Sequence, residues 1–173
     1  MTAHNASTDD TPASRVSDAI TTLGEAEVVE RAIALLAGFN VGDEFLLVAG
    51  GTHAKGILDG APPLYWPEVW GARVLLYAWN DTAVDAVLAG LQNRAWRVRE
   101  MCTRVAVTRS LPAAELLREL LTDEVARVRA ASARALGELG TATDAELLSN
   151  LFRDPEIDVR RAAQQAIAKL TAV

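Results

Sequence analysis

One cysteine, two histidines and two lysines in 173 residues exclude several kinds of protein at the outset. Cys102 alone cannot close an intramolecular disulfide, so a disulfide scaffold is out. His4 and His53 have no Cys, His or paired carboxylate at ligand spacing, and a zinc site needs three or four ligands in one place. The sequence therefore predicts no metal and no cofactor. No uncharged apolar run approaches the ~18 residues of a membrane helix, and Met1–Asp10 lacks a basic-then-apolar signal. The expectation is a cytoplasmic protein with no membrane partner. Aromatics are scarce too, with four Trp, two Tyr and three Phe, so the core must be built mainly from Ala, Leu and Val. What is abundant is apolar material. Half the residues are hydrophobic and 23% are charged, enough to fold a chain of single-domain size.

Charge is unevenly spread. The formal net charge of −6 argues against a general nucleic-acid binder. Residues 1–93 carry four basic groups against twelve acidic ones, whereas residues 94–173 carry thirteen against eleven. Fifteen of the seventeen basic residues are arginine.

A repeat dominates the second half. Trp96-Arg97-Val98-Arg99, Ala126-Arg127-Val128-Arg129 and Ile157-Asp158-Val159-Arg160 place their valines 30 and 31 residues apart. Five residues before each valine stand Asn93, Asp123 and Asp154, and seven before stand Leu91, Leu121 and Phe152. Val128, Ala131, Ala135 and Leu139 make one apolar helical stripe, and small residues along it let neighbouring helices approach closely. Leucine-rich residues 112–121, with Pro112 at an early helical position, predict a preceding helix. Asp123 and Asp154 fall between the two, where a carboxylate accepts from amides opening the next helix. Gly137 and Gly140 suit the end of the longer helix. Each unit of about 30 residues is a helical hairpin that must stack on its neighbours to bury its apolar face.

These residues resemble the short HEAT-like repeats of the phycobilin-lyase type. The aromatic stretches Tyr65-Trp66-Pro67-Glu68-Val69-Trp70 and Trp96-Arg97-Val98-Arg99-Glu100-Met101 resemble small bacterial HEAT-repeat proteins, those of actinobacteria, and this resemblance implies no defined reaction. The resemblance implies a hydrogen-bonded ladder between stacked repeats, mapping here to Asn93, Asp123 and Asp154 with Arg99, Arg129 and Arg160. Asn93 makes its share uncharged. It extends upstream, where Val69 aligns with the repeat valine and Trp70 stands in the arginine's place. Some HEAT-like proteins are hydroxylases with iron held by repeated His-Glu pairs; this chain has no His-Glu dipeptide.

Upstream, residues 1–14 read as a disordered tail and 16–40 as one or two amphipathic helices. Phe45–Ala49 fits a buried strand or a helix, and the helical neighbourhood favours helix. Gly51 to Gly56 has the spacing of a phosphate loop, but Ile57-Leu58 follow where Lys and a hydroxyl are needed, so a turn is predicted. Cys102 occupies an inward repeat position and reads as a structural thiol.

The fold class that results is all-α: a short α-solenoid of stacked helical hairpins with an irregular helical N-terminal cap. A tail at 1–14 precedes one continuous domain over 15–173, with the cap and a degenerate repeat at 15–81 and three hairpins at 82–173. The expected function is a non-enzymatic scaffold presenting a helical face to a protein partner. That face carries Arg97, Glu100, Arg104, Arg127, Arg134 and Arg161, with Trp70 as an aromatic anchor. The aromatic segment 65–96 reads as core or as recognition surface, and the arginines as a solvated face or a binding one. The alternatives are a DNA-glycosylase-like nucleic-acid binder, with Asp81 or Asp85 at a damaged nucleotide, and a bilin-lyase-like chaperone. Gln164, Gln165 and Lys169 among the alanines of the last helix predict a capped monomer.

Overall fold

The structure, a computed structural model, describes residues 10–172, and every regular element among them is helical. The chain divides between Ala83 and Val84 into two compact units.

In the first unit, α1 (Pro12–Leu23) opens on Thr11, whose hydroxyl oxygen accepts from the Ser14 amide at 3.1 Å, and Pro12 occupies the first turn. This capping ends the expected tail early: residues 12–14 are helical, and residues 1–9 lie outside the described part. Gly24, at φ +85°, turns the chain directly into α2 (Glu25–Leu36). Residues 41–60 supply α3 (Asp43–Gly50) and α4 (Thr52–Leu58), so Phe45–Ala49 is helix, with Phe45 buried. Gly51, at φ +59°, makes the corner between them. After α5 (Trp66–Val74) the unit closes on a single 3-10 turn at Asp81–Ala83. Two close approaches set this packing. A Cβ on Gly71 of α5 would stand 2.5 Å from the Leu36 nitrogen and 2.8 Å from the Ala32 oxygen of α2. A Cβ on Gly50 would stand 2.5 Å from the Trp70 ring. Trp70 is only 4% exposed, which corrects its expected role as a surface anchor: the ring fills the space that Gly50 leaves open. Two arginines cover the carbonyl end of α3. Arg15 donates from Nε to the Val48 oxygen at 3.1 Å, and Arg73 from Nη2 to the Ala49 oxygen at 2.6 Å. Desolvation, with Arg15 nearby, lowers the Arg73 pKa.

The second unit alternates short and long helices: α6 (Val84–Gly90), α7 (Trp96–Thr108), α8 (Ala114–Glu119), α9 (Ala126–Leu139), α10 (Asp144–Ser149) and α11 (Ile157–Thr171). The short ones α8 and α10 tighten into 3-10 turns at Leu120–Thr122 and Asn150–Arg153. Pro112 precedes α8 instead of opening it, because the helix begins only at Ala114. The three repeat valines, Val98, Val128 and Val159, are fully buried. On α9 burial spreads beyond a single stripe, to Ala130, Ser132, Ala133, Ala135 and Leu136, because α7 and α11 both pack on it. Gly137 does not end α9. It lies inside the helix, where a Cβ would meet the Ala166 Cα of α11 at 2.8 Å. Gly140 does end it, though at φ −85° and not in the left-handed region. What requires glycine there is space, since a Cβ would fall 2.5 Å from the Leu136 oxygen. In the last hairpin the buried place of Leu91 and Leu121 passes to Leu151, and Phe152 is 43% exposed.

Candidate binding face on the long helices

The long helices are held in register by arginines that reach forward. Arg99 of α7 donates from Nε to Asp123 Oδ2 at 2.7 Å and from Nη2 to Oδ1 at 2.9 Å. Its Nη1 turns back to the carbonyl oxygens of Asn93 at 2.8 Å and Arg94 at 3.1 Å. Arg129 of α9 repeats the pattern one hairpin later, with Asp154 at 2.7 and 3.0 Å and the Asp123 oxygen at 2.8 Å. Both carboxylates are nearly buried, with side chains 5% and 6% exposed. Each carboxylate also folds its own loop. Asp123 Oδ1 accepts from the Val125 amide at 2.8 Å, and Asp154 Oδ1 from the Glu156 amide at 2.9 Å. Those amides lie just before the helices, so the aspartates shape the entry turn and leave the first helical amides to others. Asn93 keeps the same turn through its amide oxygen, accepting from Ala95 at 2.8 Å. The Arg129 guanidinium holds the Asp154 carboxyl below the usual range, assisted by the Glu156 amide. Arg160 makes only the backward half: Nη1 donates to the Asp154 oxygen at 2.6 Å and the Pro155 oxygen at 2.9 Å.

A second link had no signature in the repeat. Arg118 of α8 donates from Nε to Asp144 Oδ1 of α10 at 2.6 Å, and Asp144 is 3% exposed. Bonds from Arg118 and then the Thr141 amide hold the Asp144 carboxyl low. Position 144 corresponds to Ala113 one repeat earlier, so no register pointed to it.

The surface of α7 and α9 bears a groove of about 530 Å³, lined among others by Glu100, Arg104, Arg127, Ala131, Arg134 and Glu138. A neighbouring hollow of about 430 Å³ adds Glu156 and Asp158 near α11. Four of the six expected face residues, Glu100, Arg104, Arg127 and Arg134, thus line one groove. Arg97 and Arg161 do not line it. Arg97 stacks on Trp96 with its guanidinium carbon 4.2 Å from the ring centroid, and Arg161 is exposed on α11. Arg127 lies over the same ring at 5.3 Å and pairs with Glu100 at 3.0 Å, so one indole gathers two cations at the edge of the groove. Asp158 belongs to the expected face by the repeat register, one residue before its valine as Arg97 and Arg127 are; Glu138 and Glu156 were outside it, and the sequence signal that could have found Glu138 is its helical spacing of four from Arg134. Lys169 reaches back to pair with Glu138.

Reactive groups are few here. Burial pushes the Cys102 thiol up to about 12, which leaves it protonated at neutral pH and unsuited to nucleophilic attack. Among the described residues no cluster of His, Cys, Asp and Glu could hold a metal ion. No helix among them is long and apolar enough to cross a membrane.

Helical hairpins stacked at a period of about 30 residues, locked by forward-reaching arginines, define the second unit as a short α-solenoid. The family model for HEAT repeats matches residues 84–168, and the second unit is built of HEAT repeats. No curated protein matches the chain.

Proposed function

We propose that the protein is a non-enzymatic binding module and that the groove on α7 and α9 receives a protein partner. The single observation carrying this reading is the composition of that groove. Together with its neighbouring hollow it offers three arginines and four carboxylates around apolar floor residues, with Trp96 and its two stacked guanidiniums at the edge. Mixed charge around an aromatic and arginine anchor suits a protein surface, where Trp and Arg are enriched among the residues that carry binding energy. HEAT repeats generally serve as protein-interaction scaffolds, which supports the same reading. A phosphate backbone would prefer a groove of one sign, and here Glu100, Glu138, Glu156 and Asp158 oppose it. Capture from a host lysate on the immobilised chain tests the proposal, with the double variant Arg104→Glu/Arg134→Glu as comparison and circular dichroism to verify its fold. A protein retained by the wild type and lost by the variant supports it. Equal retention by both refutes the groove as the site. Recovery of nucleic acid alone, with affinity falling steeply with log salt, would make the protein a phosphate binder instead.

A further inference from the structure

Arg99, Arg129 and Arg160 hold the same posture on their own loops, and two of them grip a carboxylate among the described residues. In each, Nη1 is anchored on two carbonyl oxygens five and six residues upstream, which fixes the plane of the guanidinium. In Arg99 and Arg129 the remaining edge, Nε with Nη2, then closes on both oxygens of an aspartate from the following hairpin. For Arg160 no described residue meets that edge, although the side chain is half-buried and its anchor is in place. A planar guanidinium offering two parallel N–H donors is matched to one carboxylate, and fixing it beforehand removes part of the entropic cost of binding. The surroundings are uncovered as well. Phe152 is 43% exposed where Leu91 and Leu121 are buried, and Ile157 is 49% exposed. The outer face of α11 does not invite a whole further repeat: Arg161 and Gln164, both exposed, stand where Ala130 and Ala133 are buried on α9.

We propose that Arg160 is a preformed receptor for the side-chain carboxylate of an aspartate opening a helix on a partner protein, independent of the groove on α7 and α9. The aspartate is specified by the two filled sites. In both, the bound carboxylate also accepts the amide two residues on, so the ligand is a carboxylate already folded into a turn before a helix. The net negative charge of the chain does not oppose this, because the edge of Arg160 faces no described carboxylate within ion-pair distance.

The test uses the full chain with labelled arginine side chains and watches each Nε–Hε signal by NMR. The probe is a synthetic peptide with the sequence of residues 121–132, which fills the Arg99 site natively, stapled over its last two turns so that it is helical in solution. The expected result is a saturable shift of the Arg160 signal, at least tenfold tighter than with acetate, while the signals of Arg99 and Arg129 stay in place. The same peptide carrying Asp123→Asn should bind at least tenfold more weakly, and Arg160→Lys in the chain should abolish the difference between the two peptides. Binding no tighter than acetate, or an equal response from exposed Arg161, would overturn the proposal by making Arg160 an ordinary surface cation. An Arg160 signal that moves with protein concentration before any peptide is added would also overturn it, since a second copy would then be the occupant.

Discussion

At the scale of single residues, the aspartates do two jobs whose energies differ. Folding the loop needs one acceptor oxygen, as Asn93 demonstrates; holding the arginine of the previous hairpin needs two oxygens and a charge. Asp154→Ala removes both and leaves the Arg129 guanidinium, 14% exposed in its side chain, without its carboxylate. The expected loss is roughly 3–5 kcal/mol, the usual consequence of breaking one side of a buried ion pair. Asp154→Asn retains the turn and one acceptor, so its loss should be clearly smaller. Denaturant titration of the wild type and both variants at unchanged slope decides the matter: an Asp154→Asn midpoint equal to that of the wild type would show that the charge contributes nothing, and equal midpoints for the two variants would show that the retained turn contributes nothing.

At the scale of elements, helix spacing in both units is set by glycines that face backbone. Gly137 against Ala166 brings α9 onto α11, and Gly71 against Ala32 and Leu36 brings α5 onto α2. In each case the nearest obstructing atom is main chain, and the Ala166 Cβ at 3.0 Å from the Gly137 position has no rotamer to change, so relief requires moving a helix. Gly137→Ala and Gly71→Ala should each cost about 1–3 kcal/mol despite the better helix propensity of alanine. Thermal unfolding checks this, and a raised midpoint for either variant would show that the helices part freely. Such contacts explain what was legible in the sequence and what was not. The repeat valines, the aspartates and the arginines are spaced along the chain, and spacing can be read. Gly137 looked like a helix end because the atom that demands glycine belongs to residue 166. Trp70 looked like a surface anchor because its pocket is made by Gly50, twenty positions away. Four groove residues were legible as one helical face, with Asp158 of the neighbouring hollow in the same register; Glu156 and the Arg118–Asp144 link came only with the packing.

At the scale of the whole molecule, the buried carboxylates tie stability to acidity. Asp144 and Asp154 have folded-state pKa values lowered below their unfolded ones, first by bonds from Arg118 and Arg129 respectively. Their contribution is fully present above the unfolded value, about 4, and is lost as pH falls through the lowered folded values. The thermal midpoint should therefore drop below about pH 4, and Asp154→Asn should flatten part of that drop; a wild-type midpoint constant down to pH 3 would contradict it. The direction of the ladder matters during synthesis as well. Each gripping arginine precedes its aspartate by 24 or 25 residues, so a newly made hairpin leaves the ribosome with its guanidinium unpaired. At about 5–20 residues per second, that interval lasts roughly 1–5 s. The second unit is thus assembled as a ratchet that advances with translation, each hairpin locked only when the next one arrives.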